Sequence, residues 1–284
     1  MAAASQTVER LRPHELGLLG AGLVAGLGIA VLPIYWMLLT SLRESASVMQ
    51  WPPRLLPDFS EFSLWAYAEV VTRSPLASWF TNSILIATIA TVATVIISAT
   101  AGYALSRTRT RAGMTMGYAI LVSKMLPATL LVLPFYIMFF RVGLLNTIYA
   151  PILGNISFTV PFATWMMKSF FDGIPRELEE AAVMDGASPF RAFWEIILPL
   201  TLPGLAAVTL YSFILSWNDY VFAKTFLAGG EMTTLAVGAT HFLTESEMAW
   251  NKVMATAAMA SLPIMVIFFL LERYFVAGTT QGVH

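Results

Sequence analysis

Six long apolar runs punctuate the chain, at about 16–39, 79–105, 115–140, 148–168, 201–222 and 254–276, and the charged residues gather between them. A helix rises about 1.5 Å per residue, so roughly 20 apolar residues cross a hydrocarbon core. Each run is long enough to do so. Open strands would leave backbone N–H and C=O groups unpaired in lipid, so the runs are expected to be helices. The expected fold class is an all-α membrane protein of six transmembrane helices, forming one membrane domain over 1–284. The first run follows Arg10 and Arg12 as a signal peptide would, but it is longer than a typical signal core and no small-residue cleavage site follows it. It reads as a retained first span.

Composition supports lipid as the surrounding medium. The chain is 57% hydrophobic and 12% charged, with mean hydropathy +0.72. A water-facing surface has no room for that balance. There are no cysteines, which excludes disulfides, thiolate metal sites and cysteine nucleophiles. The three histidines lie far apart and form no ligand spacing, so no metal or cofactor is expected in this chain. A net charge of -1 gives no footprint for nucleic acid. Arg107, Arg109 and Arg111 cluster between the second and third runs, on the same side as Arg10, Arg12 and Arg273. Basic residues in short flanks mark the cytoplasmic side. Both termini are therefore expected in the cytoplasm, with sizeable external segments at about 42–78 and 223–253 and one internal segment at about 169–200.

That internal segment carries the most specific chemistry. Pro175 suits a first helical turn, and Gly186 is placed to end the helix in a left-handed conformation. Ser188 followed by Pro189 reads as a cap and a first-turn proline opening a second short helix. Leu178, Ala181, Ala182 and Met184 offer a small, partly apolar ridge, with Glu177, Glu179, Glu180 and Asp185 around it. Helices this short need a partner surface. A helix lying on the bilayer usually carries Lys and Arg on its polar face. This one is acidic, so a protein groove is the better partner.

Glu180-Ala181-Ala182, then Asp185-Gly186-Ala187, then Ile196-Ile197-Leu198-Pro199 resembles the EAA loop of permease subunits of binding-protein-dependent ABC importers. Asn82-Ser83, Trp217-Asn218-Asp219 and the Arg273–Gly278 stretch extend the resemblance towards the carbohydrate class, which includes the shorter membrane subunit of the maltose transporter. The resemblance implies an importer permease fold with a coupling loop at 173–199. Coupling to the ATPase would fall to Glu180, Ala181, Ala182, Asp185, Gly186, Arg191 and Pro199. It also implies four kinds of partner: a second, non-identical permease, two ATPase subunits, an extracytoplasmic solute-binding protein and a sugar-like solute. The location implied is a bacterial-type cytoplasmic (inner) membrane. No G-x-x-x-x-G-K-[ST] occurs in the sequence, so ATP and Mg are expected on the partner ATPase and this chain is expected not to be an enzyme.

Polar residues at depth are the candidates for the solute pathway. Lys124 falls about ten residues into the third run, where an ammonium is costly. It is read either as an interhelical or intersubunit pairing or as a contact to solute. Pro127 and Pro134 should kink that run or free its carbonyls. Trp217, Asn218 and Asp219 at the end of the fifth run suit a sugar contact, or equally an interfacial belt with a helix cap. Asn82 is a further candidate. Gly229-Gly230-Glu231 lies in the external segment and would reach a docked binding protein, or form an ordinary turn. An ion-gradient-driven secondary transporter is the competing function, but such carriers usually hold intramembrane carboxylates, and runs one to five show none at mid-depth. An intramembrane enzyme would need a catalytic cluster, and none stands out.

Overall fold

The computed structural model describes residues 13–52, 54–108, 110–228, 232–243 and 248–280. Arg10, Arg12, Arg109 and the Gly229–Glu231 triplet lie outside them. The described residues are helical apart from loops and one isolated antiparallel bridge between Leu243 and Met248. In chain order the helices begin with α1 (Pro13–Ser41), α2 (Ser45–Val48), α3 (Trp65–Arg73) and α4 (Leu76–Arg107). Then come α5 (Arg111–Ser123), α6 (Ala128–Arg141), α7 (Tyr149–Asp172) and α8 (Glu177–Met184). α9 (Pro189–Ala192) continues through a π turn at Phe193–Ile197 into α10 (Leu198–Leu200). α11 (Leu202–Trp217), α12 (Val221–Phe226), α13 (Leu235–Ala239) and α14 (Trp250–Thr280) complete the set.

Three stretches are long and apolar enough to cross a bilayer as single helices: Gly17–Ser41, Leu76–Arg107 and Trp250–Phe275. Two more qualify as broken pairs, α5 with α6, bent by 96°, and Pro189–Leu200 with α11, bent by 75°. The run expected at 115–140 is thus interrupted at Lys124–Pro127. Pro127 has no N–H to continue the helix and becomes the N-cap of α6, whereas Pro134 is accommodated inside α6. α7 spans 24 residues but buries Asn155, Thr159 and Thr164. Its neighbours are protein on most sides, so it is free of the apolar demand that lipid makes on α1.

α4, α7 and α11 pack together as the centre of the bundle, α14 lies against α11, and α1 lies against α14. Close approach of α4 and α7 rests on small and hydroxyl residues. Thr94 and Thr159 share a buried hydrogen bond of 2.7 Å. A Cβ on Gly102 would sit 2.8 Å from the Lys168 backbone N and 2.8 Å from the Met167 Cβ. α1 presents apolar residues all round, with Val24 and Ile29 more than two-thirds exposed. Such a surface is stable against acyl chains and would be a liability in water.

One end of the bundle, the basic end, carries Arg107 and Arg111. At the opposite end, Arg43 is buried and donates to the carbonyls of Arg54 (2.8 Å) and Leu56 (2.9 Å). Asn251 donates to the Arg43 carbonyl at 3.0 Å and accepts from Ser45 Oγ at 2.7 Å. The loop after α1 is thereby clamped to the start of α14. The 232–243 segment is held on the first turns of α4. Asn82 Nδ2 donates to the Thr233 carbonyl (3.0 Å), the Leu235 N–H donates to Ser83 Oγ (2.8 Å), and Gly238 lies directly against the Trp79 indole.

Candidate functional site: the loop at the basic end

Between α7 and α11 the chain leaves the bundle, turns twice and returns. Arg176 is the N-cap of α8, and its carbonyl accepts the N–H groups of Glu179 and Glu180. α8 ends in two linked bonds. The Gly186 N–H donates to the Val183 carbonyl (3.0 Å) and the Ala187 N–H to the Ala182 carbonyl (2.9 Å). This is the Schellman arrangement, and it needs a left-handed residue at Gly186, whose φ is +88°. Ser188 then caps α9 by accepting from the Arg191 N–H at 3.2 Å, with Pro189 in the first turn. Pro199 offers no N–H to the Glu195 carbonyl, and the turn before it widens so that the Leu198 N–H reaches the Phe193 carbonyl. Replacing Gly186 by Val places a β-branched residue in the left-handed region, at a cost of about 1–2 kcal/mol. Limited proteolysis of the purified protein should then cut faster between α8 and α9; unchanged cleavage would show that the turn is not locked by glycine.

The loop has two faces. Ala182, Ala192, Phe193 and Ile197 are buried, the last two in a cluster with Met167 and Phe171 of α7. The other face points away from the bundle. Met184 is 86% exposed and Phe190 72%, with Leu178, Val183 and Trp194 also exposed. Glu177, Glu180, Ala181, Asp185 and Gly186 share this outer surface, as does Arg191, which pairs with Glu195 at 2.8 Å. An apolar knob ringed by acid thus projects from the basic end.

One of the four acids behaves differently from the rest. Glu179 turns inward and forms an ion pair with Arg107 at the end of α4, whose Nε donates to Glu179 Oε1 at 2.6 Å. Tyr103 Oη donates to Glu179 Oε2 at 3.0 Å, and Arg107 also donates to the Phe171 carbonyl at 3.1 Å. Arg176 donates to the carbonyls of Ser106 and Arg107, both at 3.1 Å, satisfying acceptors at the C-terminal end of α4. The short loop helix is therefore bolted to α4 by Arg107, Glu179, Tyr103 and Arg176. By sequence alone Glu179 belongs with the other acids around the ridge. The signal that separates it is spacing: Arg176, Glu179 and Ala182 recur at three-residue intervals and share one helix face.

The candidate pathway residues fall in different settings. Trp217 is 3% exposed, stacks on Phe213 at 5.7 Å and donates Nε1–H to the Ala260 carbonyl at 3.0 Å, so its indole joins α11 to α14. Asp219 accepts from the N–H groups of Phe222 and Ala223, both at 3.1 Å, and from Asn155 Nδ2 at 3.2 Å. It secures the start of α12 to α7. Asn218 is exposed and donates to the Ile214 carbonyl within its own helix. Asn82 is engaged with Thr233. Lys124 stands at the break between α5 and α6, its Nζ 3.0 Å from the Phe158 carbonyl and 3.2 Å from the centre of the Phe158 ring. Asn82 and Lys124 thus each bond to partners other than the Trp217–Asp219 stretch.

Residues 93–281 match the family described as the binding-protein-dependent transport system inner membrane component. The inner membrane ABC transporter permease protein YcjP of Escherichia coli (strain K12) is 33% identical over 263 residues, 92% of this chain and 93% of that protein. The trehalose/maltose transport system permease protein MalG of Thermococcus litoralis is 31% identical over 277 residues, 96% of this chain and 98% of that one. The crystal structure of a bacterial ABC transporter involved in the import of the acidic polysaccharide alginate contains a chain that superposes with TM-score 0.74 at 27% identity, covering 92% of this chain and 96% of that chain. A helical membrane bundle with a capped, outward-facing loop at its basic end, matched along nearly its whole length, belongs to the binding-protein-dependent inner membrane components, the permeases of ABC importers.

Proposed function

We propose that this chain is one membrane-spanning half of an ATP-driven, binding-protein-dependent importer for a carbohydrate or sugar derivative. The observation that carries the reading is the loop at the basic end. Its outer face, with Met184 and Phe190 the most exposed apolar residues, has no function in a free-standing bundle and suits the cleft of an ATPase subunit. Glu180 and Asp185 supply charge at the rim of that contact. Gly186 sets the turn, and Arg191 and Pro199 shape the return into α11. ATP and Mg are held by the two ATPase chains, and this chain transmits their closure to the membrane helices.

The chain forms one membrane domain over 1–284 with six spans, of which α5–α6 and α10–α11 are broken and α7 is the central, more polar one. The basic end faces the cytoplasm of a bacterial-type inner membrane, with both termini on that side. The 223–253 segment, including Gly229, Gly230 and Glu231, faces the docked solute-binding protein. A second, non-identical permease completes the pathway. Support for a sugar comes from relatives whose names carry trehalose, maltose and alginate.

Gentle-detergent purification of the tagged protein from its native membrane, followed by mass spectrometry, tests the assembly. An ATPase, a different permease and a binding protein are expected to co-purify. A chain recovered alone, or only with itself, and active in liposomes without ATP would make it a gradient-driven carrier instead.

A further inference from the structure

We infer that Lys124 is the pathway contact for an acidic group on the solute, and that the sugar carried is therefore anionic, bearing a carboxylate or phosphate. The inference rests on the importer reading above. α5 begins at Arg111 on the basic end and runs 13 residues to Ser123, so Lys124 lies about 20 Å along that helix, and its partner Phe158 lies near the middle of α7 (Tyr149–Asp172). Its ammonium has three donors. One reaches the Phe158 carbonyl at 3.0 Å, and the remaining compensation comes from the faces of Phe158 (3.2 Å to the ring centre) and Tyr211 (5.9 Å). Among the described residues no carboxylate lies within ion-pair distance of it. A carbonyl and two rings carry only partial negative charge, so a full cation stays without its counter-charge at a depth where that is costly.

Two further features converge on the same place. The backbone breaks there by 96°, and the 14-residue α6 starts at Ala128 with no side chain capping it. Its uncapped N–H groups bring the positive end of a helix dipole to the break, where Lys124 is itself the C-cap of α5 and meets that helix's carbonyl end. Discontinuous membrane helices hold anionic groups of transported solutes in this manner. On α7 and α11 the rings of Phe162 and Tyr211 lie 5.0 Å apart, and Tyr211 Oη is buried with no hydrogen-bond partner among the described residues. An aromatic shelf takes the C–H face of a sugar ring, and the cation with the helix end takes its acid. A neutral sugar would leave the charge unanswered.

The test uses the complete importer, with companion permease, ATPases and binding protein, in proteoliposomes. The probes are a uronate oligosaccharide, a hexose phosphate and a carboxyl-reduced, neutral oligosaccharide. ATP-dependent uptake of at least one acidic probe is expected, about tenfold or more above the neutral one. Lys124→Met should lower that uptake by about tenfold, the loss of one charged hydrogen bond. Lys124→Arg should retain most of it, and both variants should still co-purify with the companion permease. Preference for the neutral probe, or acidic uptake unchanged in Lys124→Met, would overturn the inference while leaving the importer reading intact. So would failure of Lys124→Met to assemble when acidic uptake per assembled complex is unchanged, which would make the lysine an intersubunit pairing. Absence of ATP-dependent uptake of every probe would overturn the sugar-importer reading, and the inference with it.

Discussion

Arg107→Ala should leave the importer assembled and hydrolysing ATP while cutting solute uptake on the order of tenfold or more. Arg107 holds Glu179 through an ion pair and a 2.6 Å bond, and also reaches the Phe171 carbonyl. Both side chains are largely shielded, at 15% and 19% exposed. Hydrogen bonds to charged groups contribute about 1.5–3 kcal/mol each. The outer face of α8, with Glu180 and Met184, is untouched by the change, so docking to the ATPase should persist. What is lost is the tie that makes α8 and α4 move together. Ala removes the fastening, so force applied at the loop is dissipated in a local rocking of α8. Uptake and ATP hydrolysis measured on the same proteoliposomes separate the two effects. Glu179→Gln should show the same split in milder form, because an amide keeps one acceptor but not the charge. The exchanged pair, Arg107→Glu with Glu179→Arg, should recover part of the uptake. If uptake and hydrolysis fell in parallel, the pair would serve folding or docking and not transmission.

Gly102→Val should be the most damaging single change in the bundle. The space for its side chain is occupied by the Lys168 backbone N and Met167 Cβ, each 2.8 Å away, and by the Thr164 carbonyl at 3.0 Å. Backbone atoms of a packed helix cannot swing aside as a side-chain end can. α4 and α7 must separate, and the Thr94–Thr159 hydrogen bond of 2.7 Å lies on the same seam. Overpacking commonly costs 1–3 kcal/mol, and a site walled by backbone belongs near or above the top of that range. The thermal midpoint of the detergent-solubilised protein should drop by several degrees, by about ΔΔG/ΔS, and yield from the membrane should fall. Gly204→Val is the control. Its two nearest neighbours are ring atoms of Phe170, 2.5 and 2.6 Å away, with the Phe170 Cβ at 3.0 Å, and that residue is 38% exposed. Equal losses in the two variants would refute the argument from backbone contact.

Much of the loop at the basic end was legible because its rules are local. A glycine after a short helix, a serine before a proline and a proline one turn into the return each act within a few residues. The left-handed φ of Gly186 and the capping of α9 by Ser188 follow directly. The direction of each acid was not legible. Glu179 turns inward because Arg107, 72 residues earlier, is waiting there, and nothing within α8 alone announces a distant partner. The same limit applies to Trp217. Its sequence neighbours suggested an interfacial or sugar-facing ring, but the Ala260 carbonyl and the Phe80 and Phe213 rings claim it. Pro127 marked a disturbance in the third run, whereas the size of the bend depends on how α5 and α6 each find a place beside α7. Hydropathy likewise reports what lipid would tolerate, so α7, which faces mostly protein, shows up as the most polar of the expected spans.

The 32 residues of α4 form a rod about 48 Å long. Its first turns grip the 232–243 segment through Asn82 and Ser83, and its last turn grips the opposite loop through Arg107. In the proposed importer, a protein arriving on one side of the membrane and a partner closing on the other would pull on two ends of the same lever. Arrival and closure would become a single mechanical coordinate, the tilt of that lever. Neither side needs a relay of side chains across the bilayer to know what the other has done.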